Sequence, residues 1–274
     1  MSKSFKYSDI EKQKNKELDS LFDEWISQLS KNQTIVKNGD KDKKTPKDCF
    51  AKDGFFPGYF APNNQGKRVV FIGRETRSIG GDDFRETSKA FFENENVNVN
   101  KNNWWRHILK IVYGIKKEGK ENFKKVPSAR EIIDDMYKEN NFGFAVINIS
   151  KFSNDNENNW QSNKKLIHRF LQDSKLEETQ FFKKELEILE PDIIITGNLW
   201  DRKIIKSEDI DLCLPKSNFL ETKNIGKNIA EYGKYNLNGR LIDFIDLYHF
   251  SANKSEKDCF YDPVMKVLFN KNRK

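Results

Sequence analysis

Glu75, Asn148 and His249 are the side chains around which chemistry could be built, and each sits at or just beyond the end of a short apolar run. Glu75 lies in Gly73-Arg74-Glu75-Thr76-Arg77, at the end of the run 68–73. Asn148 lies near the end of the run 142–149 and leads into Ser150 and Lys151. Gly197 and Asn198 end the run 192–197, and Tyr248, His249, Phe250 and Ser251 follow the run 240–247. A carboxylate can hold a water molecule and take its proton. A carboxamide carries a donor and an acceptor on one planar group and can read a polar edge. An imidazole can donate to an oxygen on which negative charge grows. Each residue also has a plain structural use. Glu75 can pair with Arg74 or Arg77, Asn148 can close its own turn through its side chain, and His249 can be a hydrogen-bonded core residue. What singles them out is their recurrence at the ends of four similar runs.

Those runs are read as buried strands. The first and third are almost continuously apolar, as expected for strands covered on both faces. Helical periodicity fills the intervals at about 104–114, 128–139, 160–173 and 176–190, with a last helix near 261–271. Strand alternating with helix predicts a parallel sheet flanked by helices, joined by right-handed connections. Ligands of such sheets bind beyond the carboxyl ends of the strands, where these polar residues stand. Ahead of the sheet, Leu18, Leu21, Phe22, Trp25, Ile26 and Leu29 recur at three- and four-residue steps and predict an amphipathic helix over 8–30. Lysines, Gly39 and Pro46 make 31–48 a loop or tether. The chain is thus divided into 1–48, a helix and basic linker, and 49–274, an α/β domain. Residues 50–62 interleave Phe and Tyr with Gly and Pro, a stretch expected to pack over something. Residues 207–237 are assigned no element.

Composition excludes several classes. The 274 residues carry 49 Lys and Arg against 42 Asp and Glu, a net charge of +7, and this modest excess favours an anionic partner. Aromatic residues at 13% supply the apolar bulk that disordered chains lack. No run is long enough to span a bilayer, and the charged start has no secretory apolar region. Three scattered cysteines, without a CxxC pair, fit a reducing cytoplasm and no zinc or iron–sulfur spacing. No cofactor or metal is expected. The dinucleotide, phosphate-loop and nucleophile-elbow fingerprints are also missing.

The ordered motifs resemble those of the uracil-DNA glycosylase superfamily. Gly73-Arg74-Glu75-Thr76-Arg77 is similar to its water-activating loop, and the helix from Trp104-Trp105 to Gly114 to the one in the mismatch-specific and single-strand-selective branches. Val146-Ile147-Asn148 is similar to the strand whose terminal Asn reads the base. Leu189-Glu190-Pro191-Asp192 and the following run resemble the third strand with its preceding helix, and Tyr248-His249-Phe250-Ser251 resembles the closing His motif. The resemblance covers residues 66–252. It implies a three-layer α/β/α sandwich around a four-stranded parallel sheet. Thr76 and Phe250 stand where the family usually has Pro, and no apolar wedge residue follows Ser251.

The activity this implies is hydrolysis of the N-glycosidic bond of uracil, or a related deaminated or damaged base, in base excision repair. Glu75 would position and deprotonate the water, and His249 would donate, as a neutral imidazole, to the base oxygen. Asn148 would read the base edge. Backbone amides at Gly73 and Arg74, with the Ser251 hydroxyl, would hold flanking phosphates. Phe84 or Trp104 would face the base. Arg74, Arg77, Lys151 and Lys254 would form a phosphate-facing edge. The partner would be DNA, preferably single-stranded given the missing wedge, and the protein a cytoplasmic monomer without membrane contact. The departures at Thr76 and Phe250 favour a second reading, a non-catalytic nucleic-acid or nucleotide binding module on the same fold. A third is an unrelated doubly wound hydrolase or nucleotide-binding enzyme.

Overall fold

Covering both faces of a parallel sheet requires apolar side chains on both parities of its strands, and the central strands meet that requirement. The computed structural model describes residues 6–31, 36–38, 42–60, 66–139, 143–155, 162–174, 180–200, 205–225 and 231–269. Its first elements are α1 (Asp9–Lys31), the short antiparallel pair β1 (Val36–Asn38) and β2 (Asp42–Lys44), α2 (Pro46–Cys49), β3 (Gly54–Phe55) and β4 (Val69–Arg77). There follow α3 (Phe84–Glu93), α4 (Asn103–Lys116), α5 (Ala129–Glu139), β5 (Phe144–Asn154), α6 (Lys164–Asp173), α7 (Phe181–Leu189) and β6 (Ile193–Gly197). The chain continues through α8 (Ser207–Asp211), β7 (Phe219–Asn224), β8 (Glu231–Leu237), β9 (Arg240–Leu247) and α9 (Asp262–Phe269).

Seven strands form the sheet, in the order β3-β5-β4-β6-β9-β8-β7. The expected four-stranded sheet is therefore corrected to a larger, mixed one. The four runs read as strands are its centre: β5, β4, β6 and β9 pair as parallel neighbours. Each additional strand pairs antiparallel with its inner neighbour, β3 with β5 on one side, β8 with β9 and β7 with β8 on the other. β8 and β9 join through Asn238-Gly239, both at positive φ, the backbone that a two-residue hairpin requires. That dipeptide lies just after the segment left unassigned.

Alternate residues of each central strand enter different cores. Val70, Ile72, Ala145, Ile147 and Ile194 pack with α1, α6, α7 and α8, whereas Val69, Phe71, Val146, Ile193 and Ile195 pack with α3, α4, α5 and α9. In α1 the expected stripe is buried except for half-buried Ile26. Trp25 stacks on Phe181 at 5.1 Å and donates from Nε1 to Ser174 Oγ. Each large side chain so buried contributes about 1.5–3 kcal/mol, whereas an exposed ion pair such as Lys12–Asp9 is screened by water. The stripe packs α1 against the sheet, and buried Glu11 adds a tie by accepting from the backbone N–H groups of Gly58 at 2.6 Å and Phe60 at 3.1 Å.

The helices expected over 8–30, 104–114, 128–139, 160–173, 176–190 and 261–271 are present in their described parts. Residues 160–161, 176–179 and 270–271, and the strand residue Phe142, lie outside the described residues. Within 31–48, expected as a loop, the described residues form β1, β2 and α2. A Thr45–Asp48 capping box with Pro46 in the first turn starts α2. Among the described residues no helix is long and apolar enough to cross a membrane.

Candidate functional site

The register of β4 and β5 places Gly73 beside Asn148, and Glu75 beside Ser150. Gly73 has no side chain to separate its neighbours. A Cβ built on it would lie 2.5 Å from Asn148 Oδ1 and 2.8 Å from the Trp104 ring. Trp104 in turn touches His249, with ring centroids 5.5 Å apart, and meets Phe250 edge-on at 5.1 Å. Gly73, Asn148, Trp104 and His249 thus form one contiguous group at the strand ends. Of the two aromatic candidates, Trp104 belongs to it. Phe84, half-buried at the start of α3, stacks on Trp105 at 6.0 Å. One residue along α4 turns a side chain by about 100°, which sends Trp105 into the core with Phe56 and Phe92.

The Glu75 side chain is almost completely buried, 2% exposed. Its Oε1 accepts from Asn154 Nδ2 at 3.1 Å and from the backbone N–H of Asn163 at 3.0 Å, with Arg77 Nη2 at 3.7 Å. Among the described residues its Oε2 has no hydrogen-bond partner, nor do Thr76 Oγ1 and Ser150 Oγ nearby in sequence and register. Burial pushes the Glu75 carboxyl above its ordinary range, against the pull of these two hydrogen bonds, Arg77 and Arg74. A buried carboxylate oxygen without a donor costs free energy unless water or ligand completes it. Glu75 is therefore set to hold a polar molecule and, with its raised pKa, to accept a proton.

Burial, reinforced by Arg74 and Arg77, pushes His249 down to about 4. The imidazole is neutral at physiological pH. The Ser251 backbone N–H donates to Nδ1 at 3.3 Å, which leaves the ring proton on Nε2 as a donor. Ser251 itself is exposed, and its carbonyl accepts from Asn103 Nδ2. The turn is anchored from below. Phe250 is buried against Phe71 and Trp104, and a Cβ on Gly197 would lie 3.1 Å from its ring. The Phe250 carbonyl accepts from His107 Nδ1 at 2.6 Å, and the His107 ring stacks on Phe260. Where the resembled family has Pro after His, this chain has a core phenylalanine that fixes the turn by packing.

Asn148 is held by a residue that its own segment does not reveal. Asp53 Oδ2 accepts from the Asn148 backbone N–H at 2.7 Å and from Nδ2 at 3.4 Å. Asp53 Oδ1 accepts from Lys151 Nζ at 2.7 Å, and Lys151 also pairs with Glu185. The expectation that Lys151 faces a phosphate is thereby corrected. It is fully buried among Phe22, Trp25 and Phe182, because two carboxylates are there to receive it. The Arg74 side chain is also buried, and Nη2 donates to Asn198 O across the sheet end. Arg77 is partly exposed, and exposed Lys254 lies over the Tyr248 ring.

No protein-family model matches this chain, and no curated protein matches it in sequence.

A further carboxylate lies one strand away. Asp246 is buried and accepts from Thr196 Oγ1 at 2.5 Å and from the backbone N–H of Asn198 at 3.0 Å. Burial pushes it up to about 7. It holds the turn in which Asn198, at φ 54°, presents its carbonyl to Arg74. Asp53, His107 and Asp246 are the site-shaping residues that the strand-end pattern missed. Only Asp53 carried a signal, as the one acid inside the aromatic stretch expected to pack over something. Among the described residues no cluster of three or more His, Cys, Asp or Glu could hold a metal ion.

Proposed function

We propose that this rim receives a base extruded from DNA and hydrolyses its N-glycosidic bond, the base being uracil or a related deaminated or damaged one. The fold implied is the three-layer uracil-DNA glycosylase-like sandwich, here with an enlarged sheet. The carrying observation is a buried Glu75 oxygen without a donor among the described residues, at the end of the strand that seats Gly73 against Asn148. In the reaction the bond between the sugar C1′ and the base nitrogen breaks, and its electron pair leaves with the base. His249 Nε2–H and the Asn148 carboxamide donate to the oxygens where that charge collects. Glu75 faces the cationic sugar and takes a proton from the water that adds to C1′. That proton ends on the departing base. Flipping costs a few kcal/mol and least in single strands, so the missing wedge favours single-stranded DNA.

The test is an abasic-site assay on uracil-containing single-stranded and duplex oligonucleotides, with Glu75→Gln and His249→Ala. Alkali-labile product that depends on both residues supports the reading, with binding largely retained in Glu75→Gln. Loss of cleavage and binding together in Glu75→Gln overturns its catalytic role. Salt-dependent DNA binding without product, from any tested base, supports the non-catalytic binding module instead. That second reading has one observation in its favour, the engagement of Glu75 Oε1 by Asn154 and Asn163.

A further inference from the structure

We infer that Asp53 is a positioning residue that fixes which way the Asn148 carboxamide faces, and so makes the site select imide-edged bases such as uracil over cytosine. This rests on the glycosylase reading and extends it to a residue outside the rim. Asp53 meets donors at both oxygens: Asn148 N–H, Asn148 Nδ2 and Lys151 Nζ. A carboxylate accepts and cannot donate, so Nδ2 must face Asp53, and Oδ1 then faces Gly73. One Nδ2–H is spent on Asp53. The remaining N–H and Oδ1 form a fixed donor–acceptor pair. That pair matches the carbonyl and N–H of a uracil edge. Cytosine presents the reverse order and would need the amide flipped, which would set Oδ1 against the Asp53 carboxylate.

Lys151 and Glu185 keep Asp53 in place. All three side chains are fully buried, with Lys151 Nζ within 2.7–2.8 Å of both acids. Burial pushes the Glu185 carboxyl well above its ordinary range, against the pull of the Lys151 ammonium. With Asp53 replaced, Glu185 still meets Lys151 at 2.7 Å, which spares the core an unpartnered ammonium.

The test compares wild type with Asp53→Asn on oligonucleotides carrying uracil or cytosine at one position, and reads the ratio of cleavage rates. An Asn at 53 can offer either a donor or an acceptor, so the Asn148 amide is released. The uracil-to-cytosine ratio is expected to fall about tenfold or more, with a folded, cooperatively melting protein. An unchanged ratio overturns the inference. Should Asp53→Asn fail to fold, Asp53→Ala is read in its place by the same ratio. If wild type cleaves neither base, the glycosylase reading fails and a second measurement decides this one. The Asn148 side-chain amide resonance, assigned through its loss in Asn148→Asp, should exchange slowly with solvent in wild type and rapidly in the Asp53 variant. Equal exchange in the two overturns the inference.

Discussion

Gly73 stands so close under Asn148 that a methyl group on it would lie 2.5 Å from Oδ1. The same methyl would press on the Trp104 ring at 2.8 Å. Gly73→Ala must therefore displace the amide, the indole or both. Cleavage of uracil-containing DNA should fall about tenfold or more, since small misplacements of positioned groups are expensive. Thermal melting should move by only a few degrees, the usual scale of a strained but folded variant. Full activity in Gly73→Ala would separate the base site from Gly73.

The proposed hydrolysis should have an acid limb in its pH–rate profile that belongs to Glu75. Its carboxyl is raised by burial, so the basic form appears only as pH climbs through that raised value, and activity climbs with it. His249, pushed down to about 4, is already the neutral donor above that pH. Measured kcat/KM should rise along an acid limb above the ordinary glutamate range, without an inflection at the usual histidine value near 6.5. A limb near 6.5 that disappears in His249→Ala would count against this assignment.

Asp246 links stability to pH with the opposite sign from an ordinary salt-bridged acid. Its folded-state pKa of about 7 lies above the ordinary 3.8, so the folded protein binds more protons than the unfolded chain between those values. The stability it contributes is full below 3.8 and lost as pH rises through about 7. Asp246→Asn removes that titration. The melting-temperature advantage of wild type over the variant should shrink between about pH 5 and pH 8. An advantage that grows over that interval would show that Asp246 does not titrate upward.

Lys151→Met leaves Asp53 and Glu185 buried side by side without their ammonium. Breaking a buried pair in this way costs about 3–5 kcal/mol, which denaturant unfolding will resolve. A loss below about 1 kcal/mol would match an exposed lysine instead.

Gly114→Ala sets two effects against each other. An alanine gains roughly 1 kcal/mol of helix propensity in α4. Its Cβ would also lie 2.5 Å from the Tyr261 ring and 2.7 Å from Met265 Sδ. Met265 can swing away, but the buried ring is held by its neighbours, and overpacking costs about 1–3 kcal/mol. The expected result is net destabilisation in a urea melt. A stabilised variant would mean that the contact between α4 and the turn before α9 yields easily.

Local pattern was a good guide wherever one segment carried its own instruction. The stripe from Leu18 to Leu29 is the buried face of α1, and the four apolar runs became β4, β5, β6 and β9. Both follow from periodicity, which a chain displays without its partners. The strand-end residues were legible for the same reason, since topology puts the ends of parallel strands on one rim. β8 lay in the segment assigned no element, although Asn238-Gly239 after it carries a hairpin signal. β7, whose order depends on β8, lay there too.

The amino-acid sequence by itself determined the central elements, the polar types at their ends and the absence of common phosphate-binding fingerprints. Tertiary structure alone decided what those residues became. Asp53 meets Lys151 across 98 positions of chain, and His107 meets the Phe250 carbonyl across 143. Lysine in a sequence reads as solvated, because nothing local announces the two carboxylates that make its burial tolerable. The His249 tautomer depends on the Ser251 amide, and the choice of Trp104 over Phe84 depends on how α4 lies against Gly73. Periodicity is a property of one segment, whereas charge burial, tautomer and ring placement are set by whichever distant group arrives.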